Sequence, residues 1–546
     1  MPLTKAEYDN LEDERSSYAK LVLDSNSPKK SVMAGPGTGK SYLFQEISKK
    51  LIEQNKTKIL VLTFINELVK DLTIDMHSLA EVCTLHSFAA KELRNHQAIY
   101  MDLLKVVSKD LKDEKSQVKE LDKILHNLDY SEVDAIEYLA RRSKYYKSYD
   151  PSSIVFELVK FYTLDPSKIP EFDLILVDEY QDFNLLEAEL IKLLAKKNDV
   201  LIVGDDDQSL YSFKHARPDN IRTIHTSTEY ESFELPYCSR STEVVIDAFH
   251  DCVSHAKAQG LLSERLDKQY LYFPTAKKDL VSEANPVIEV KKNVFHTKNA
   301  YLLDQAIANI FKSAPVFDVL VICSLKKQIN PLAKALRKKG YNNVSGDDSD
   351  IDKCKILLDG LNLLVKDKES NLAWRLCTEG LTDENELKKA IVKSKDCDIK
   401  FSESITQQLR TEIKNLRAAC VKIEKNEALS DAQRNLLFEK LNVCPDQLGE
   451  QNAKERVFSS KYNGVHHSTK VKLTTILGSK GLSYDYVFMV NFDDRYLIPA
   501  TGIDDESVNK FLVAITRSRK KIHIFTSQTV EPKFVSWIDN TRKAIS

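Results

Sequence analysis

The sequence has little glycine, no paired cysteines, no long apolar run and almost no net charge. Its 546 residues include only 14 glycines, and the nine cysteines are scattered without a C-x-x-C pair. This spacing argues against a disulfide framework or a zinc site and favours reduced thiols. The acidic, polar N-terminus is not a signal peptide, and no run approaches the roughly 18 apolar residues of a membrane span. We therefore expect a cytoplasmic protein without a membrane partner.

The near-zero net charge restricts how this chain could bind nucleic acid. With a formal net charge of −2 at pH 7, binding would need local basic patches. One candidate patch is the cluster Arg517, Arg519, Lys520 and Lys521, whereas the lysines and arginine of residues 326–339 fit a solvated helix face better. The scarce glycines concentrate in candidate motifs, which indicates that backbone freedom is used there for a purpose. They are Gly35, Gly37, Gly39, Gly204, Gly478 and Gly481.

The chain is too long for one hydrophobic core, and its strand pattern predicts two α/β domains. Short apolar, β-rich runs occur before about residue 205 and after about residue 315 and alternate with helical segments, which indicates parallel sheets covered on both faces. Two long stretches without such runs have helical periodicity and read as insertions. Sequences typical of capping boxes support them: Ser131 with Asp134, and Ser430 with Gln433. The predicted boundaries are 1–90 and 171–227 for the first domain, 91–170 for its helical insertion, 228–349 and 466–546 for the second domain, and 350–465 for its helical insertion.

A glycine-rich motif, AGPGTGKS at residues 34–41, follows a short apolar run. Such a loop between a strand and a helix lets backbone N–H groups converge on phosphate oxygens, and the N-terminus of the helix favours the anion. We expect Lys40 to reach the β- and γ-phosphates and Ser41 to bind Mg²⁺. The predicted nucleotide site comprises Ala34, Gly35, Pro36, Gly37, Thr38, Gly39, Lys40, Ser41 and Tyr42.

An acidic motif, DEYQD at residues 178–182, follows the apolar run 174–177. Asp178 would lie at the carboxyl end of a strand, where α/β sheets place ligands, and is the second predicted Mg²⁺ ligand. Glu179 would orient and deprotonate the attacking water, because phosphoryl transfer depends mainly on positioning and charge neutralisation. A solvated strand end looks similar, but together with the phosphate loop this motif predicts hydrolysis of a nucleoside triphosphate.

Further motifs resemble those of the UvrD/Rep/PcrA family of superfamily 1 DNA helicases, in family order. They read LTFINE at 62–67, TLHSF at 84–88, VGDDDQSLYSFKHA at 203–216, SRST at 239–242, TTILGSKGL at 474–482 and VAITRSRKK at 513–521. With the phosphate loop and DEYQD, eight motifs span most of the chain. One such motif would be weak evidence, whereas eight in order make coincidence improbable.

The resemblance implies two RecA-like motor domains with ATP bound in the cleft between them. By position, Gln208 would sense the γ-phosphate, and Arg240 and Arg517 would reach it from the opposite domain, where a guanidinium can neutralise the charge of the transferred group. Aromatic side chains would stack on single-strand bases at about 1–3 kcal/mol per base, and polar ones would contact phosphates. The residues implied for DNA binding are Phe64, Asn66, Thr84, His86, Tyr211, Phe213 and Thr475. Phe64 and Phe213 could instead be core residues.

The nucleobase end of the site departs from the family pattern. The family's Gln ahead of the phosphate loop is missing from residues 11–19, its base-stacking Tyr is replaced by Ser239, its Arg after the loop by Tyr42 and its ribose-contacting Glu by Ser483. Tyr42 or Tyr237 could stack on the base instead. Because the phosphate motifs are intact while base recognition is altered, we expect relaxed nucleotide selectivity.

Several functions are compatible with these motifs. The leading interpretation is an ATP-dependent translocase or helicase, 3′ to 5′ by resemblance, acting on single-stranded DNA or a 3′-tailed duplex. A second is a DNA-stimulated ATPase that serves as sensor or switch for a nuclease or another repair or defence protein, as in Gabija-type phage defence. We find no fused nuclease segment, so a nuclease would be a separate protein. A third, a non-catalytic scaffold, conflicts with the intact Lys40, Asp178 and Glu179. An RNA substrate also stays open.

Overall fold

The computed structural model describes residues 3–63, 66–93, 98–100, 102–114, 121–211, 215–313, 316–341, 344–345, 352–441 and 470–546. These residues form two compact units. The first draws on residues 1–88, 159–348 and 463–546 and contains two large parallel sheets, and the second draws on residues 89–158 and 349–462 and is mainly helical. Within the described ranges, no helix is both long and apolar enough to cross a membrane. Strands and helices are numbered along the chain.

The first large sheet has six parallel strands. They are β1 (Lys29–Ala34), β2 (Ile59–Thr63), β3 (Glu81–Thr84), β6 (Leu174–Val177), β7 (Val200–Gly204) and β8 (Glu231–Leu235). Their order across the sheet is β3-β2-β6-β7-β1-β8. Strands β2, β6 and β7 are buried along their full length, as expected of strands covered on both faces. Because all strands run parallel, the residues that follow β1, β6 and β7 meet at one edge of the sheet.

The helices of the first motor domain connect these strands. They are α1 (Lys5–Asp24), α2 (Lys40–Glu53), α3 (Asn66–Asp75), α4 (Leu85–Glu92), α9 (Leu185–Leu194) and α10 (Asp219–Thr226). Two of them begin at a capping box. Thr4 and Glu7 cap α1, and Asn184 and Glu187 cap α9, each side chain accepting a hydrogen bond from the backbone N–H of its partner. These reciprocal bonds satisfy donors that the first helical turn leaves free and so define where each helix begins.

The second large sheet has seven parallel strands. They are β11 (Ile288–Lys291), β12 (Asp318–Cys323), β13 (Val344–Ser345), β14 (Lys470–Thr475), β15 (Tyr484–Val490), β16 (Ser518–Phe525) and β17 (Lys543–Ile545). Their order is β13-β14-β12-β15-β16-β11-β17. Alternate residues of β12 belong to different cores: Leu320 and Ile322 to one, and Val319 and Val321 to the other. The central strands are therefore buried on both faces, as the sequence predicted.

Seven helices and two short strands complete the described part of the second motor domain. The helices are α11 (Glu243–Ala258), α12 (Ala276–Ala284), α13 (Asn299–Ser313), α14 (Ile329–Lys338), α21 (Asp494–Leu497), α22 (Asp505–Ile515) and α23 (Lys533–Ser536). Strands β9 (Tyr237–Cys238) and β10 (Leu271–Tyr272) pair in parallel as a separate two-stranded sheet. The α/β prediction of two RecA-like parallel-sheet motor domains is confirmed.

One predicted domain boundary is wrong at strand level. We placed residues 228–349 in the second motor domain, but β8 (Glu231–Leu235) pairs with β1 in the first sheet. The reason is that β8 is an edge strand whose first residues are exposed, so it lacks the continuous apolar pattern used to find the other strands. The first sheet is complete only after residue 235.

The two helical insertions are present. The first contributes α5 (Leu103–Glu114), α6 (Leu121–His126), α7 (Val133–Tyr146) and α8 (Pro151–Leu164), with short strands β4 (Ala98–Ile99) and β5 (Ser148–Tyr149). The second contributes α15 (Asp352–Lys366), α16 (Asn371–Leu381), α17 (Glu384–Lys393), α18 (Phe401–Ser404), α19 (Gln407–Glu424) and α20 (Asp431–Leu441). Ser430 and Gln433 form the predicted capping bonds. The predicted box at Ser131 is wrong, because its hydroxyl bonds Asp129 and α7 has no side-chain cap.

The insertions, far apart in sequence, form one compact unit around buried polar groups. The guanidinium of Arg375 in α16 lies 2.9 Å from the carboxylate of Asp110 in α5, and both side chains are fully buried. Tyr146 donates to the same carboxylate at 2.5 Å. Arg142 in α7 donates to the carbonyl of Ser394 at 3.1 Å. Because the bonds of Arg375 and Arg142 join residues of the first insertion to residues of the second, the two insertions share one core, which their separate helical patterns did not indicate.

Candidate functional site

The glycine-rich loop joins β1 to α2, as the sequence predicted. Gly37 and Gly39 have φ of 77° and 100°, in the left-handed region that favours glycine. A Cβ on Gly37 would lie 2.4 Å from the Cβ of Arg240, so no larger residue fits there. The hydroxyl of Tyr270 donates to the carbonyl of Pro36 at 2.8 Å. The loop is thus held by the second motor domain as well as by its own strand and helix.

Lys40, at the start of α2, is half-buried and paired with Glu179. Its Nζ lies 2.9 Å from Oε1 of Glu179, and Gln181 donates to the other carboxylate oxygen at 2.6 Å. Burial alone would raise the pKa of Glu179, but the positive charges of Lys40 and Lys480 outweigh it and hold the pKa at about 2. The predicted phosphate-binding lysine and the predicted base are therefore in direct contact.

Asp178 and Ser41, the predicted Mg²⁺ ligands, line one cavity together with Lys40 and Glu179. Burial and the adjacent negative charge of Glu179 raise the pKa of Asp178 to about 6, against the opposing charge of Lys40. A buried carboxylate whose charged form is disfavoured is a group that a bound cation would stabilise. A carboxylate and a hydroxyl beside a phosphate loop are oxygen ligands of the type Mg²⁺ prefers, so these residues fit the ion.

Gln208 lies between the two motor domains. Its side-chain N–H donates to Asp205 at 2.8 Å, and its side-chain oxygen accepts from Arg517 at 3.2 Å. Burial and the nearby Arg240 lower the pKa of Arg517 to about 10, so it stays cationic at neutral pH. All four predicted catalytic residues, Glu179, Gln208, Arg240 and Arg517, therefore line one cavity.

This cavity has a volume of about 500 Å³, within the usual range for small-molecule sites. Its wall includes residues of both motor domains. From the first come Pro36, Gly37, Lys40, Ser41, Leu72, Asp75, Asp178, Glu179 and Gln208, and from the second Arg240, Asp318, Lys470, Gly481, Leu482, Ser483, Tyr484 and Arg517. Carboxylates, cations and a glycine loop around one cavity provide the groups that a triphosphate and its metal need.

A second cavity, about 300 Å³, adjoins the other side of the glycine loop. Its lining includes Thr38 and Gly39 of the loop, Tyr42 of α2 and Glu12 and Arg15 of α1. Arg15 donates to Glu12 at 3.0 Å. Because this cavity adjoins the phosphate loop, it is a candidate pocket for the base of a nucleotide bound there. Sequence reasoning missed Glu12 and Arg15, although both lie in the stretch where the family's Gln was sought.

The two tyrosines proposed to replace the family's stacking residues differ in availability. Tyr42 is 56% exposed and lines the cavity. Tyr237 also lines this cavity, but it is buried, donates to Glu14 at 2.6 Å and forms T-shaped ring pairs with Tyr18 and Phe273. The geometry therefore favours Tyr42 as the stacking side chain, because Tyr237 is buried and its hydroxyl and ring already have partners within the protein.

The structure describes only some of the predicted DNA-contacting residues. Phe64 and Phe213 lie outside the described residues, and Asn66 begins α3 with a side chain that is not described. Thr84 ends β3, and its hydroxyl accepts from the backbone N–H of Ser87 at 3.1 Å. Thr475 likewise ends β14, where its hydroxyl accepts from the N–H of Gly478 at 3.2 Å. Both threonines thus organise turns at strand ends.

His86 and Tyr211 lie beside charged side chains. His86 Nε2 is 3.4 Å from a carboxylate oxygen of Glu187, and Lys480 Nζ lies 5.5 Å from the centre of the Tyr211 ring. Neither lines the nucleotide cavity. These contacts lie within the protein, and the DNA-binding role of both residues stays a prediction.

The basic cluster at residues 517–521 is not a free patch. Arg517 lines the nucleotide cavity. Arg519 and Lys520 both pair with Asp485, and Lys521 pairs with Glu289. Their positive charges are therefore largely compensated, and this cluster offers less attraction to phosphates than the sequence suggested.

Comparisons with known proteins identify the family. The family model for the UvrD/REP helicase N-terminal domain matches residues 19–149 and 100–229, and the model for the UvrD-like helicase C-terminal domain matches residues 384–529. Together these matches cover more than half of the chain. The chain belongs to the UvrD-like helicase family.

Several curated relatives of this UvrD-like chain are named as DNA helicases. DNA helicase II of Haemophilus influenzae is 25% identical over 412 aligned positions, covering 65% of this chain and 55% of that protein. ATP-dependent DNA helicase Rep of Buchnera aphidicola is 27% identical over 264 positions, covering 37% and 38%. The probable DNA helicase II homolog of Mycoplasma genitalium is 22% identical over 624 positions, covering 93% and 85%. The chain spans about half or less of the first two relatives.

Further residues, not predicted as site residues, also join the two motor domains of the UvrD-like fold. Lys480 donates to Asp182 at 2.7 Å, and both side chains are buried. Asp205 holds Gln208, and Lys268 contacts Asp205 from the second domain. The signal for Lys480, Asp182 and Asp205 was their place inside the motifs. For Lys268 the sequence gave no such signal, because this lysine lies outside the motifs.

Proposed function

We propose that this chain is an ATP-dependent translocase or helicase that moves 3′ to 5′ on single-stranded DNA or from the tail of a 3′-tailed duplex. The observation that carries the proposal is the position of Gln208, bonded to Asp205 of one motor domain and to Arg517 of the other at one cavity. A group shared in this way can report the state of a bound phosphate to both domains. Such sharing is what a motor driven by hydrolysis requires.

In this proposal the glycine loop and Lys40 bind the triphosphate, and Ser41 and Asp178 hold Mg²⁺. The metal would neutralise phosphate charge and orient the phosphate oxygens. Arg240 and Arg517 approach from the second domain, so closure of the cleft completes the positive environment of the transferred group. Hydrolysis and domain closure are coupled because neither domain holds all of these groups.

Glu179 is the proposed general base. While Lys40 pairs with it, its carboxylate is stabilised and is a weak base. When Lys40 turns to a phosphate, that stabilisation is lost and the pKa of Glu179 rises, so the carboxylate accepts the proton of the attacking water more readily. Nucleotide binding would thereby free the base at the moment it is needed.

The proposed DNA path uses Phe64, Tyr211 and Phe213 for base stacking, and polar groups for phosphates. The polar groups are Asn66, Thr84, His86 and Thr475. Stacking is tolerant of sequence, which suits a protein that must pass along any strand. A nuclease or another repair or defence protein as partner remains the alternative role, in which the same cycle would act as a switch.

The test is ATP hydrolysis measured with and without single-stranded DNA. We expect DNA to stimulate the wild type and Glu179→Gln to abolish the stimulated rate. Glu46→Gln is the matched control, because Glu46 is a surface residue of α2 paired with Lys49. Full activity of Glu179→Gln would contradict the proposal, as would hydrolysis by the wild type that ignores DNA.

A further inference from the structure

Three consecutive carboxylates follow β7, and all are buried. Asp205, Asp206 and Asp207 are each 1% exposed, and one oxygen of each lies within 4.8 Å of the others. Three negative charges this close and this deep are tolerated only if cations meet them. The cations that pair with these three aspartates therefore belong to the same cluster.

A lysine ammonium occupies the centre of the carboxylate cluster. Lys268 contacts all three aspartates, at 3.0 Å from Asp207 and closer to Asp205 and Asp206. Arg265 binds Asp207 through two nitrogens, at 2.7 and 2.9 Å. Despite its burial, the aspartates raise the pKa of Lys268. The position that a metal ion would take among these carboxylates is filled by Lys268.

Lys268 and Arg265 come from the second motor domain, whereas the aspartates belong to the first. Both cations lie in the loop 259–270 between α11 and β10. Leu262 and Tyr270 of this loop are buried in a core of the second domain, and the N–H of Leu262 bonds Asp505 in α22 at 2.8 Å. The two cations that meet the aspartates are therefore anchored in the second motor domain.

Asp205 contacts both Lys268 and Gln208. One oxygen of Asp205 faces Lys268, and the other accepts from the side-chain N–H of Gln208 at 2.8 Å. An amide can turn over and exchange its donor and acceptor ends. The Asp205 carboxylate can accept only from the N–H end of the Gln208 amide. The amide oxygen of Gln208 therefore faces Arg517, whose guanidinium donates to this oxygen at 3.2 Å.

We propose that Lys268 is a positioning residue for ATP hydrolysis, acting through Asp205 to hold Gln208 with its oxygen toward Arg517. This inference rests on the proposed function of the cavity and adds to it the residue that links the loop 259–270 to the predicted γ-phosphate sensor. Without Lys268, the Asp205 carboxylate loses the ion pair that anchors it to the second domain. The Gln208 amide that donates to this carboxylate is then held less firmly, and its oxygen can turn away from Arg517.

The test is a double-mutant cycle of Lys268→Met and Gln208→Ala, read as kcat and KM for DNA-stimulated ATP hydrolysis. If Lys268 acts through Gln208, Lys268→Met lowers kcat roughly tenfold or more with little change in KM, and the double variant is no worse than Gln208→Ala. Lys268→Arg, which keeps the charge, recovers much of the rate. Losses in kcat that multiply in the double variant would overturn the inference.

Two further variants separate positioning from simple loss of stability. Lys543→Met removes another buried, ion-paired lysine of the second domain, and we expect a lower melting temperature with unchanged kcat. Asp205→Asn keeps Lys268 paired with its two other carboxylates and tests the link to Gln208 even if Lys268→Met does not fold. Full kcat in Asp205→Asn would overturn the inference. Failure of the proposed function itself would be visible separately, as DNA-independent hydrolysis by the wild type.

Discussion

At the scale of single residues, Tyr42 and its neighbours define how the nucleobase end of the site differs from the phosphate end. Tyr42 offers an exposed ring beside the glycine loop, and the pair Glu12 and Arg15 presents both an acceptor and a donor. A ring that stacks and a pair that can bond several base edges do not single out adenine. The predicted phosphate end, by contrast, is lined by closely paired side chains such as Lys40 and Glu179.

We therefore expect ATP, GTP and CTP to be hydrolysed at comparable rates under matched conditions. Tyr42→Ala should raise KM for all three nucleotides, roughly tenfold, because stacking on a base contributes about 1–3 kcal/mol. Tyr301→Ala, which removes an exposed tyrosine of α13, is the matched control and should leave KM unchanged. A strong preference for ATP in the wild type would contradict relaxed selectivity.

The residues that sequence reasoning found and those it missed differ in whether a recognisable motif contains them, and not in sequence separation alone, since Lys40 also has a distant partner in Glu179. Lys40, Ser41, Asp178 and Glu179 stand in short motifs whose chemistry is local, and the structure places them at one cavity. Lys268 sits in no motif, and its partners are more than sixty positions away. A periodic pattern identifies a strand or a helix but cannot say which distant side chain faces it, so such pairs become visible only in three dimensions.

At the scale of elements, the turn from β1 into α2 depends on a backbone shape that few residues allow. Gly37 has positive φ and no room for a Cβ. Gly340, which follows α14, has φ of 97° but meets nothing within 4 Å of an added Cβ. Substitution of Gly340 therefore tests backbone strain alone, whereas substitution of Gly37 adds a clash with Arg240 to that strain.

Gly37→Ala should weaken nucleotide binding about tenfold or more, since the loop must move away from Arg240 to admit the methyl group. Gly340→Ala should lower the free energy of unfolding by about 1 kcal/mol through strain and leave nucleotide affinity unchanged. Binding of a fluorescent ATP analogue and chemical denaturation measure the two effects. Equal affinities for both variants would show that the close approach to Arg240 does not matter.

Strands were predicted best where they are buried on both faces and worst at edges. The central strands β2, β6, β7 and β12 carry continuous apolar runs, and all were found from them. The edge strand β8 has polar, exposed residues at its start and was assigned to the wrong domain. Burial on both faces imposes a pattern on the sequence, whereas an edge strand is specified by its backbone partner, which a sequence pattern does not reveal.

At the scale of the whole molecule, the shared core of the two helical insertions depends on a charge pair. Arg375 and Asp110 are fully buried, and each comes from a different insertion. Breaking a buried pair by removing one partner leaves an unpaired charge, at a cost of about 3–5 kcal/mol. The pair therefore makes the helical unit sensitive to single substitutions.

Arg375→Met should destabilise the helical unit and speed hydrogen exchange in α5 and α16 more than in the strands of the motor domains. Lys400→Met, which removes an exposed pair with Glu369, should change exchange little. Hydrogen exchange followed by mass spectrometry resolves the two units. Uniform acceleration over all described elements would mean that the helical unit has no separate stability.

Movement along DNA is the central claim for the whole molecule, and streptavidin displacement from end-biotinylated single strands tests it most directly. We expect ATP-dependent displacement from the 5′ end, as movement from 3′ to 5′ requires, slow displacement from the 3′ end, and none with Glu179→Gln. DNA-stimulated hydrolysis without displacement from either end would contradict the motor and leave the switch for a partner protein as the function of this site.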